Sequence, residues 1–386
     1  MIPFAQSSHC RDWLFTSEDA LRKRKQECND KAFGKVIAQI DRQAAAKLAE
    51  GGDASIEEKR QKAISARTLS IEEEDLIKKW YATKIREFGQ LGLPEKVLGT
   101  ATIYFKRFFL SNAITHHDLR HIMLASIYLA AKVEEVVLPV DNIAGPVNAK
   151  KEDVLAMEIP LLEGLQFDLI VHLPYNPLHG FIIDLKESTS PPASPEKLQG
   201  RARRHINDLL ITDAPFLYPP AQLALAALRK ASEEEGYPLA EYMHSRFHTN
   251  AGYDQLRLNV EAIQKYIMEG GQMDVSRVKK IDRKLKKCLN PEFIPGTEEY
   301  AKRREREQAE RAARRQEKLR RQAEGQIDAE GDDDDDQSKD APFLIHSNAK
   351  RLRSSDGNDQ QPPEANIKRR RTNDDEEEKE EPKADE

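Results

Sequence analysis

Cysteine is nearly absent from this chain: Cys10, Cys28 and Cys288 are the only three, and no two of them form a C-x-x-C pair. That excludes a disulfide framework and a thiolate zinc site, and it fits a reducing intracellular compartment. No apolar run approaches the roughly 20 residues needed to cross a bilayer, and no signal-peptide h-region is seen near Met1, so the expectation is a soluble intracellular protein. The phosphate-cradling patterns G-x-x-x-x-G-K-[ST] and G-x-G-x-x-G are missing, as is the G-x-S-x-G nucleophile elbow. His116, His117 and His121 lie close together, but no H-E-x-x-H or third ligand accompanies them; they read as polar residues at a helix start. The run Asp332 to Asp336 satisfies a D-D-x-x-D pattern, yet no apolar helix presents it to a metal. Catalytic residues, metal ligands and cofactors are therefore expected to be none.

What is present is unevenly spread. Charged residues make up 33% of the chain and hydrophobic residues only 39%, low for a wholly globular protein. The deficit is local: residues 67 to 290 are rich in Leu, Ile, Ala and aromatics, whereas the chain from about 298 onward is charged or polar. Such a segment buries too little apolar surface to offset a backbone entropy of roughly 1–2 kcal/mol per residue, so disorder is expected beyond Gly325. The core must come from the middle.

There the pattern is helical throughout. Ser17 is a plausible N-cap behind Trp13 and Phe15, two aromatics expected to dock on the rest of the fold. Residues 41 to 66, with Gly51-Gly52, read as a mobile or loosely helical insert. Ser70 and Glu73 form a capping-box pattern ahead of Ile77, Trp80, Tyr81, Ile85 and Phe88, which share one helix face. Pro94 opens a second, wide-faced helix through Val97, Ala101, Tyr104, Phe105, Phe108 and Phe109. Asp118 to Glu135 is apolar around most of its circumference and ends abruptly in charge at Lys132, as a rod at the centre of a bundle would. A helix from about Lys151 to Leu165 follows, with Pro160 expected to kink it. A second cycle begins at Tyr175. It contains another Ala-rich rod from Pro220 to Ala231, and a last basic helix near 276–289 closes it; this is an internal repeat, diverged in sequence. With no period-2 segment, the fold class is an all-α bundle.

Two such repeats, the first closing its rod with Lys132-Val133-Glu134-Glu135, resemble the cyclin fold. Three further stretches look like cyclin H: Val97 to Phe108, Leu165 to His172, and Pro174-Tyr175 through Phe181-Ile182-Ile183-Asp184-Leu185-Lys186. So does the segment Trp13-Leu14-Phe15-Thr16-Ser17-Glu18. The resemblance implies two tandem cyclin-box five-helix repeats with flanking N- and C-terminal helices and a disordered charged tail. The implied divisions are 1–66 for the N-terminal helix and variable insert, 67–166 and 167–273 for the repeats, 274–297 for a C-terminal helix, and 298–386 for the charged helix and tail.

It also implies a regulatory subunit rather than an enzyme, one that activates a cyclin-dependent kinase of the TFIIH-associated, CDK-activating complex. Phosphorylation of the RNA polymerase II tail and of other kinases would follow. The implied partners are the kinase catalytic subunit, a RING-type assembly factor and the TFIIH core, with no membrane and no direct DNA binding. In the family, a lysine ending the third helix and a glutamate in the fifth bond to the kinase backbone; the matching positions are Lys132 and Glu158. An ammonium supplies three donors for carbonyls, and a carboxylate accepts from N–H groups. Taken alone, Lys132 would only complement a helix dipole. Lys350, Arg351 and Arg353 with Lys368, Arg369, Arg370 and Arg371 match a bipartite nuclear localisation signal, which with the resemblance points to the nucleus. The alternatives are another transcriptional cyclin and a nucleic-acid-binding general transcription factor of the same fold, which would need a basic face on its folded repeats.

Overall fold

The computed structural model describes residues 3–49, 55–270, 273–289 and 298–323, and among these every regular element is helical. Three helices precede the repeats: α1 (Ser8–Trp13), α2 (Glu18–Ala49) and α3 (Ser55–Arg67). The 41–66 segment, expected to be mobile or loosely helical, is carried by the end of α2 and by α3. Its alanines and long charged side chains favour helix, and they lie on either side of Gly51-Gly52.

The first repeat comprises α4 (Ile71–Glu87), α5 (Glu95–Ser111), α6 (Leu119–Val133), the short α7 (Val140–Ala144), and α8 (Lys151–Ala156) with α9 (Glu158–Gly164). Ser70 and Glu73 close a reciprocal capping box at the start of α4, satisfying two orphan donors at once. The second repeat comprises α10 (Tyr175–Lys186), α11 (Pro195–Leu210), α12 (Pro220–Glu235), α13 (Leu239–Phe247) and α14 (Tyr253–Gly270). Two further helices follow, α15 (Val275–Cys288) and α16 (Glu298–Ala323).

Each repeat has its own core. Phe105, Phe108, Phe109, Ile122, Leu124 and Ile127 anchor the first, and Leu178, Ile206, Leu209, Leu225 and Leu228 the second. Burying each such side chain contributes roughly 1.5–3 kcal/mol. Leu285 and Ile281 place α15 in the first core, although it follows the second repeat in sequence.

The most enclosed helix is α5 rather than the α6 rod: every residue from Val97 to Leu110 is buried. Four polar residues disguised it. Thr102 bonds back to the Leu98 carbonyl and Thr100 to the Glu134 carboxylate, while Lys106 donates to the carbonyls of Leu210 and Thr212. Arg107 belongs to the linker described below. Because α5 also sends Ile103 into the second core, it serves both repeats. Burial lowers the Lys106 pKa to about 7. Beside it Lys25 of α2 bridges Asp75 at 2.7 Å and Asp213 at 2.5 Å, so a charged seam ties the N-terminal helix to both repeats.

The sequence predicts a kink at Pro160. The structure places a break three residues earlier, where the chain leaves the helix at Met157 and restarts at Glu158. Pro160 has no N–H to offer the Ala156 carbonyl, and its ring crowds that carbonyl. The turn therefore opens at the acceptor end of the lost bond.

Candidate docking site and inter-repeat linker

Lys132 occupies the last turn of α6 and Glu158 the first turn of α9, so the break at Met157 puts the glutamate at a helix start, where a carboxylate is favoured. The two residues, 26 apart in sequence, meet at 2.5 Å with side chains 45% and 21% exposed. The ammonium also stands 4.3 Å from the centre of the Tyr128 ring. Behind them Glu134 accepts from Thr100 at 2.6 Å and pairs with Lys96, which fixes the corner. Glu135 takes a left-handed φ of 59°, and the Val136 N–H reaches back to the Ala131 carbonyl at 2.8 Å. That closes α6 with a Schellman turn and leaves Lys132 at its rim.

Apolar side chains next to the pair in sequence face solvent: Val137 is 95% exposed and Ile159 49%, with Val133 and Leu155 partly open. A polar pair bordered by exposed aliphatic groups is the composition of a protein-binding patch. The second repeat lacks this arrangement: α12 ends at Glu235 with no basic residue in its last turn, and Arg229, more than a turn earlier, is engaged by Glu233 and Glu261. Among the described residues no cluster of three or more His, Cys, Asp or Glu is arranged to hold a metal ion, and no helix is long and apolar enough to cross a membrane. The basic runs at Lys350, Arg351 and Arg353 and at Lys368 to Arg371 lie outside the described residues.

A second polar centre lies at the linker between the repeats. Asp168, just after α9, accepts from Trp13 Nε1 at 2.6 Å and from Ser8 Oγ at 2.5 Å. Its carboxylate lies 3.8 Å from the fully buried Arg107 guanidinium. That guanidinium stacks 4.7 Å from the Trp13 ring and donates to the Ile170 carbonyl at 3.2 Å. Tyr104 donates to the Leu169 carbonyl at 2.7 Å. The inter-repeat linker is thus stitched to both α1 and α5. Its sequence signals are Trp13 and the Leu165–His172 stretch taken whole, since nothing local marks Asp168 as the partner of a residue 155 positions away.

His9 belongs to the same centre. Its Nδ1 accepts the His172 N–H at 3.0 Å, and the rings of Phe4 and His172 pack against it. Burial first, then the Arg107 and His172 charges, hold its pKa down at about 3. An undocked His9 takes a proton near pH 6.5, so docking is at full strength above that pH and is lost as the pH falls toward 3. Between neutrality and pH 5 the loss is expected to be about 2 kcal/mol. Trp13 emission in a Trp80→Phe background should report it, and His9→Asn, which keeps the acceptor without titrating, should flatten it. Identical pH profiles for the two chains would refute the assignment to His9.

Two stacked helical repeats joined by a stitched linker, with a polar pair and solvent-facing aliphatic groups at one corner of the first, define a cyclin-class module. Residues 84–170 match the family "Cyclin, N-terminal domain" and residues 173–290 match "Cyclin C-terminal domain". Cyclin-H1-1 of Arabidopsis thaliana is 30% identical over 305 residues, which cover 75% of this chain and 89% of that protein. The chain belongs to the cyclin H family.

Among solved structures, the chain superposes on one in the CAK complex of Chaetomium thermophilum bound to ATP-gamma-S, with a TM-score of 0.62. The identity is 24%, covering 86% of this chain and 97% of that one, which speaks for the fold alone. A chain of the yeast TFIIK complex (Kin28/Ccl1/Tfb3) matches with a TM-score of 0.51 and 26% identity, covering 68% of this chain and all of that one.

Proposed function

We propose that this protein is the regulatory cyclin of a CDK-activating kinase attached to TFIIH, and that Lys132 and Glu158 form the polar centre of its kinase-docking patch. The carrying observation is the pairing of these two residues at the rim of α6, beside solvent-facing Val137 and Ile159. Docking exchanges their mutual ion pair for bonds to the kinase backbone and covers the aliphatic rim. The kinase then gains a rigid surface against its regulatory helix, and its population shifts toward the active form. Catalysis belongs to the partner, and the cyclin binds no cofactor.

A RING-type assembly factor and the TFIIH core complete the assembly, which acts in the nucleus on the RNA polymerase II tail and on other cyclin-dependent kinases. The basic runs from Lys350 to Arg353 and from Lys368 to Arg371 serve nuclear import in this reading. The testing experiment is reconstitution: the kinase subunit, inactive alone, should phosphorylate a polymerase-tail peptide once this chain is added, while the chain alone phosphorylates nothing. Phosphorylation by the isolated chain, or a kinase indifferent to its addition, overturns the proposal.

A further inference from the structure

Helix α15 carries an unusual concentration of one charge. Val278, Ile281 and Leu285 dock it on the first repeat, and its opposite side faces solvent. At about 100° per residue, Lys279, Lys280, Arg283, Lys286 and Lys287 share a roughly 120° arc, interrupted only by Ser276. All five cations are exposed. The acids around α15 are already engaged: Asp282 pairs with Lys286 of the arc at 2.8 Å, and Glu73 holds Lys284 outside it at 2.7 Å. Asp274 caps the helix, and it and Glu72 face Arg277. Lys279, Lys280, Arg283 and Lys287 have no acidic partner among the described residues. Cys288 Sγ donates to the Arg67 carbonyl at 3.3 Å, which ties the end of α3 to the inner side of α15 and leaves the cationic arc open.

We propose that this α15 face binds the phosphate backbone of duplex DNA without reading sequence. Three observations favour that ligand. The arc presents no aromatic or large aliphatic side chain, so it offers neither the buried anchor a protein partner needs nor a platform for unstacked bases. Lys279, Arg283 and Lys287 span about 12 Å along the axis, a length over which one strand presents three to four phosphates at about 3.4 Å each. Four of the five cations are lysines, whose point charges suit backbone contact without fixed geometry. The face was hidden in the sequence because the repeats as a whole are mixed in charge; docking through Val278, Ile281 and Leu285 turns the cations to one side.

The test is fluorescence anisotropy of the full-length chain with a labelled random-sequence duplex of about 20 base pairs, across about 50 to 200 mM salt. Four unpaired cations predict a log–log slope near −3.6 and a roughly 150-fold loss of affinity over that range. Replacing Lys279, Arg283 and Lys287 together by Ala should bring the slope to about −1 and weaken binding at least tenfold near 100 mM salt. These side chains are solvent-facing, so the melting temperature should not change. An unchanged slope in the triple variant overturns the proposal, as does loss of binding only when Lys368 to Arg371 are replaced. Absence of DNA binding together with tight binding of poly-glutamate would overturn it too, and would mark the face as a site for acidic protein.

Discussion

Replacing Arg107 by Met should cost about 3–5 kcal/mol of stability, the range for leaving one partner of a buried ion pair behind. The guanidinium is fully buried, and burial holds its pKa down to about 10, so it remains charged at neutral pH. Its loss strips Asp168 of its nearest cation, Trp13 of its stacking partner and the Ile170 carbonyl of a donor. Methionine fills the apolar volume but supplies none of these. The linker between the repeats and helix α1 should loosen together, giving a lower urea midpoint and a red shift in Trp13 emission. Adding Asp168→Asn should recover part of the loss, because Asn keeps an acceptor for Trp13 and Ser8 without a stranded charge. A single variant costing less than about 1 kcal/mol would show that Asp168 is held by Trp13 and Ser8 alone.

The double replacement of Lys132 and Glu158 by Ala has the opposite profile. The pair is substantially exposed, and exposed pairs contribute about 0–1 kcal/mol, so the variant should unfold close to the parent. Kinase affinity should nevertheless fall by about 2–5 kcal/mol, because the backbone groups these side chains meet are desolvated in the complex and would be left unpaired. That corresponds to roughly 30-fold or more in Kd. Single replacements should not sum to the double, since each strands a partner that also engages its neighbour in the free cyclin. Calorimetric titration against the kinase subunit measures all four chains. An unaltered Kd for a well-folded double variant would remove these residues from the interface.

The all-α class, both Ala-rich rods, the capping box at Ser70 and the Lys132 corner were legible in the sequence, because each rests on periodicity or caps within a few residues. The same local reasoning underrated α5, whose buried Thr100, Thr102, Lys106 and Arg107 made the most enclosed helix look half-polar. It foresaw that Pro160 would disturb its helix, but not that the break would open at Met157 and set Glu158 at a helix start.

By itself, then, the chain's order of residues determined the helical class, which stripes are apolar, and how little apolar surface the charged end carries. Only the tertiary structure decided that Asp168 meets Trp13 and Arg107, that Lys132 meets Glu158, and that the cations of α15 gather on one open face. Helix formation answers to neighbours three and four positions away. Charge pairing inside a bundle answers to whichever side chain the packing delivers, from 26 residues away at Lys132 to 155 at Trp13.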